Sequence, residues 1–102
     1  MDQVLIRKTA DDLCKVLTHH AVYDAEARNL LGALSNLIKL AREGSITVPL
    51  ELEAVPGAYY FTEGGLRRYR DVEEAYAAFK IEVTGGESPV LRALRARHPK
   101  NP

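Results

Sequence analysis

A chain of 102 residues has room for one domain and one core, with little left over for a second. Fourteen acids balance fourteen bases, and zero formal charge argues against a general polyanion binder. A single cysteine excludes an intramolecular disulfide, the opening MDQVLIRK lacks the apolar run of a signal peptide, and nothing approaches a membrane span, so a cytoplasmic protein is expected.

Residues 2–20 read as a first helix, with Ile6, Ala10, Leu13 and Leu17 on one line and Val16 beside it. Asp11, Asp12, Lys8 and Lys15 take the other side. A short link through His19, His20 and Tyr23 leads into a second helix, and so short a loop implies antiparallel packing. That second helix, residues 25–43, is the strongest element. Ala27, Leu30, Leu31, Leu34, Leu37, Ile38 and Ala41 form one apolar band at three- and four-residue steps. Asp24 is placed to cap it, and Glu26 suits the positive end of the dipole. Lys39 and Arg42 suit the negative end, and Gly44 supplies the left-handed stop. Gly32 lies off the stripe and marks either close approach of another backbone or nothing. A leucine face this wide demands a cover of several helices.

The pattern breaks at SITVPLELEAVPG. Ser45 to Val48 is expected to be extended, because Pro49 pushes its predecessor out of the helical region. Pro56 and Gly57 open a tight turn or a short helix through Ala58–Thr62. The competing reading pairs Tyr59–Phe61 with Leu66–Tyr69 in a hairpin across Gly64 and Gly65, and the short helix is preferred. Asp71 starts a third strong helix, residues 71–84, with Glu74 at capping-box spacing. Val72, Ala75, Tyr76, Phe79 and Val83 form its apolar line, and Ile81 points elsewhere without explanation. Gly85 and Gly86 close it. Ser88 and Pro89 then signal a terminal helix, with Val90, Leu91 and Leu94 as its apolar side. Arg92, Arg95, Arg97 and Lys100 make residues 86–102 a basic helix with a frayed end. The fold expected is all-α, a single compact bundle of four to five helices, with residues 1–102 forming one helical domain.

Convergent chemistry is hard to find. His19 and His20 with Cys14 and Asp24 lack the spacings of a zinc site, so no metal is expected. The glycine pairs lack the strand and lysine of a phosphate loop. Ser35, Ser45 and Ser88 have no nucleophile-elbow context, and Cys14 falls inside a helix. No catalytic residue and no cofactor are expected. The charge layout says more. From Glu43 to Glu63 there are four acids and no base, in a region that also holds Tyr59, Tyr60 and Phe61. Acids steer and aromatics anchor, so the expected partner-binding residues are Glu51, Glu53, Tyr59, Tyr60, Glu63, Glu73 and Glu74. The plainer alternative has Tyr59 and Phe61 folding inward onto the leucine stripe. Arg67, Arg68 and Arg70 form one basic cluster and the tail a second. Nucleic-acid binding through them is disfavoured by the zero net charge and the acidic segments.

The order of elements carries a resemblance. A helix leads to a Tyr-containing turn at Tyr23, then a helix with Leu30, Leu31, Leu34, Leu37 and Ile38. A polar loop follows, then Gly57 opening a short aromatic segment that ends near Glu63, and the acidic-start helix DVEEAYAAF. Over roughly residues 13 to 83 this resembles the small helical immunity proteins that neutralise NAD-degrading toxins of type VI secretion. The resemblance implies a cognate toxin held tightly and no activity of the chain's own. The VPLELEAVP insert and the arginine-rich end depart from that pattern. A stoichiometric protein-binding module is therefore the expected function. The alternative is a homodimer using Gly32, Ile81 and the terminal helix.

Overall fold

Asp2 ends the extended amino terminus and starts the first helix. In the computed structural model, which describes residues 1–86, its carboxylate accepts from the amides of Val4 and Leu5 at 3.0 and 3.1 Å. Helix α1 runs Gln3–Ala21. Its line Ile6, Ala10, Leu13 and Leu17 is fully buried, as the spacing predicts. Helix α2 runs Ala25–Arg42, capped by Asp24, whose Oδ1 accepts from the Ala27 amide at 3.0 Å. At its other end Gly44, with φ 74°, allows Ser45 to donate back to the Leu40 carbonyl at 2.9 Å. Only a residue without a side chain adopts that turn cheaply.

The band predicted on α2 is roofed over. Ala27, Leu30, Leu34, Ile38 and Ala41 are buried, while Leu31 and Leu37 lie half-buried at the margins. Helix α1 packs along α2 and against helix α4, Arg70–Val83, whose Val72, Tyr76, Phe79 and Val83 join the same buried core. Each leucine taken wholly out of water contributes roughly 1.5–3 kcal/mol. The architecture is an all-α bundle, and among the described residues there is no strand.

Between α2 and α4 the chain makes three short pieces. A 3-10 turn spans Leu52–Ala54, helix α3 spans Ala58–Thr62, and a second 3-10 turn spans Leu66–Arg68. The short helix is therefore present and the hairpin is not. Neither 3-10 turn carries enough period to be read from sequence. One expectation is corrected. Helix α4 begins at Arg70 after Tyr69, so Asp71 is not its cap. Asp71 instead accepts from the Val72 amide at 2.8 Å and from His20, and Glu74 pairs with Arg70 at 3.1 Å rather than closing a capping box. The basic terminal helix predicted from Ser88 lies outside the described residues.

Gly32 sits on the exposed side of α2 with nothing within 4 Å of where a Cβ would stand. Among the described residues no backbone approaches it. Gly32→Ala is expected to stabilise the fold by about 0.5–1 kcal/mol, since glycine inside a helix loses the most freedom on folding. Thermal unfolding should rise by roughly 2–8 °C. A fall in the melting temperature would mean that the position touches something.

Candidate functional site: an apolar groove along helix α4

Two polar clusters, one at the end of α1 and one at the start of α2, hold the start of α4 and the segment before it in place. His20, at the end of α1, is 8% exposed. Its Nε2 lies 3.0 and 3.1 Å from the two oxygens of Asp71, and its Nδ1 is hydrogen-bonded to the Tyr23 hydroxyl. Burial pushes Asp71 up, but the hydrogen bond and charge interaction with His20 outweigh it and leave the carboxyl below the usual range. The contact ties the end of α1 to the start of α4.

The second cluster centres on Asp24, which is 6% exposed. Beyond capping α2 it accepts from the Tyr69 hydroxyl at 2.6 Å and from Arg68 Nη2 at 2.8 Å. The Tyr69 hydrogen bond, with help from the amides and Arg68, holds Asp24 below the usual carboxylate range against the opposing effect of burial. The Tyr69 ring lies over His20 with centroids 4.3 Å apart, so the two clusters touch. Two residues beyond Asp24, Glu26 accepts from the Gly65 amide at 2.7 Å. A Cβ on Gly64 would stand 2.6 Å from the same carboxylate, so both glycines let it approach the backbone. Asp24 and Glu26 thus pin the segment after α3 to the start of α2.

An apolar groove of about 340 Å³ opens between α3 and the outer side of α4. Leu52, Ala58, Phe61, Tyr76, Ala77 and Ile81 contribute its apolar lining, and Glu73, Lys80 and Thr84 are also exposed to it. The Phe61 ring stacks on Tyr76 with centroids 4.6 Å apart, and the Tyr76 hydroxyl donates to the Pro56 carbonyl at 2.9 Å. The Leu50 amide donates to the Val83 carbonyl at 2.9 Å and holds the Leu52 side of the groove against the end of α4. Leu52 is 60% exposed and Ile81 37% exposed. Ile81, unexplained by the stripe of its own helix, belongs to this groove.

Of the predicted partner-binding residues, Glu73 lines the groove and the others adjoin lining residues, or Glu73 itself, only in sequence or one step beyond. Glu51 and Glu53 flank Leu52 in sequence and are exposed, and Glu63 follows Thr62 of the lining. Tyr59 is 63% exposed, so it does not fold inward, while Phe61 does in part. Tyr60 is half-buried and meets Tyr59 edge to face at 5.6 Å. Glu73 lines the groove but has Arg67 at 3.9 Å, and Glu74 is paired with Arg70. The basic cluster of Arg67, Arg68 and Arg70 is therefore distributed over Glu73, Asp24 and Glu74. Sequence reasoning missed Asp71, Tyr69 and Glu26 as positioning residues. Their partners lie 39 to 51 positions away in the chain, beyond any local pattern.

No group of three His, Cys, Asp or Glu side chains able to hold a metal ion occurs among the described residues. No described helix is long and apolar enough to cross a membrane. A scan against protein-family models and searches of curated proteins and of solved structures found nothing that matches this chain.

Proposed function

We propose that the chain is a non-catalytic protein-binding module that works stoichiometrically, as an immunity-type inhibitor of a toxin or another enzyme. The observation that carries the reading is the apolar groove between α3 and α4, with Glu73 in its lining, exposed Glu51, Glu53 and Glu63 next in sequence to lining residues, and Tyr59 exposed next to Ala58. A partner presenting an apolar ridge flanked by bases fits such a surface: the ridge supplies burial and the acids supply steering and register. The inhibitor part of the reading rests on the pattern of elements shared with the type VI immunity proteins.

The test is affinity capture from native lysate with the wild-type chain and with the variant Glu51→Lys, Glu53→Lys, Glu63→Lys. One protein is expected to be retained in stoichiometric amount by the wild type and lost by the variant, and the purified chain should inhibit it. Retention of nothing by the wild type, or equal retention by both chains, overturns the reading. If light scattering finds a tight homodimer and capture finds no other partner, the surface serves self-association instead.

A further inference from the structure

We propose that the groove between α3 and α4 receives an amphipathic helix of the partner, lying antiparallel to α4 with an acid near its start and a base near its end. This names the occupant of the surface and rests on the binding-module reading given above.

Backbone chemistry selects a helix over an extended segment. An extended peptide needs a sheet edge to pair its own amides and carbonyls, and among the described residues there is no strand. A helix satisfies its backbone internally and offers only side chains to an apolar surface. The shape of the groove suits one. From α4 and its cap the lining takes Glu73, Ala77, Ile81 and Thr84, at steps of four, four and three residues. It therefore follows one side of that helix for about 16 Å, at a rise of about 1.5 Å per residue. Two exposed alanines, Ala58 of α3 and Ala77 of α4, belong to it. Side chains that small let a second helix approach to the usual axial distance of about 8–10 Å. The exposed Leu52 and Ile81 supply apolar surface for it to bury.

Charge sets the direction. The lining carries one acid and one base, Glu73 in the first turn of α4 and Lys80 in the last. They stand about 10 Å apart along the axis, at the same rise of about 1.5 Å per residue. Glu73 has a long contact to Arg67 at 3.9 Å, and Lys80 lies over the Tyr76 ring at 5.7 Å, so both keep capacity for a further partner. Helices favour acids at the amino end and bases at the carboxyl end. Laid antiparallel to α4, such a helix brings its late base to Glu73 and its early acid to Lys80. Its dipole then opposes that of α4. Laid parallel, it sets like charges against each other at both ends. The groove reads direction as well as hydrophobicity.

Fluorescence anisotropy with a pair of labelled peptides tests this on the full chain. Both are alanine-based with a leucine line, long enough to span Glu73 to Thr84, and held helical by a hydrocarbon staple. One carries glutamate in its first turn and lysine in its last; the other carries the reverse. At low salt the first is expected to bind the wild type about fivefold tighter or more. Glu73→Lys with Lys80→Glu, at unchanged helical circular dichroism, should invert that preference. Equal affinities, no binding by either peptide, or a preference that the exchange leaves unchanged overturns the proposal. So does equal binding of an unstapled version broken by prolines, which would make the occupant extended. Capture from lysate uses neither peptide. A partner retained there while the peptides are indifferent removes the antiparallel helix and leaves the binding-module reading standing.

Discussion

Gly57→Ala is expected to lower stability by about 2–4 kcal/mol, the larger part of what a small domain has to spare. Gly57 stands before α3 with φ 111° and ψ −8°, a backbone that L side chains rarely adopt. Space is also lacking. A Cβ there would overlap Leu30 Cδ1 and sit 3.3 Å from Tyr76 Cε1. Leu30 is wholly buried in the α2 band and Tyr76 is fixed by its bond to Pro56, so neither yields freely. Strain and overpacking therefore add at one residue. Urea unfolding should show a lower midpoint with the slope kept, because the surface exposed on unfolding is unchanged. A shift below about 0.5 kcal/mol would mean that α3 is not seated on α2 as described.

Asp24→Ala is the second large effect, expected at about 2–4 kcal/mol against the roughly 1 kcal/mol of an ordinary helix cap. Three donors lose their acceptor together: the Ala27 amide, the Tyr69 hydroxyl and Arg68 Nη2. The Arg68 share is small, because its side chain is 61% exposed and water replaces the carboxylate. The Tyr69 hydroxyl and the cap dominate. Asp24→Asn keeps the capping oxygen but not the charge, and should fall between wild type and Ala. A loss near 1 kcal/mol for Asp24→Ala would reduce this residue to a simple cap.

The same carboxylates set the acid response. Asp24 and Asp71 both titrate lower in the folded chain than the value near 3.9 of a free aspartate. As pH falls the unfolded chain takes up these protons first. Their stabilisation is whole above about pH 4 and is lost as pH drops through the folded values. The melting temperature of the wild type should decline below about pH 4, and less steeply in Asp24→Ala, which has one such group fewer.

The long elements were legible because period alone defines them. Ile6, Ala10, Leu13 and Leu17 of α1 and the leucines of α2 each recur on one side of a helix, and each stripe is where the bundle closes. Asp24 as a cap and Gly44 as a stop followed from local backbone chemistry, which needs no tertiary context. The groove was legible only in outline. The acids and aromatics of the segment beside it stood out by composition, but Leu52 and Ile81 join it through packing of the chain around Leu50 against the end of α4. Three-residue turns of this kind carry no periodic signal. The capping box failed for a physical reason: a distant imidazole competes for Asp71, and His20 is 51 positions upstream. A local pattern cannot register such a competitor.

Hydrogen exchange on the chain, free and bound to its captured partner, tests the central claim most directly. Protection on binding is expected at Leu52–Thr62 and at Glu73–Thr84, the two sides of the groove. Protection confined to the outward sides of α1 and α2, or no change across the groove in a saturated complex, would contradict it.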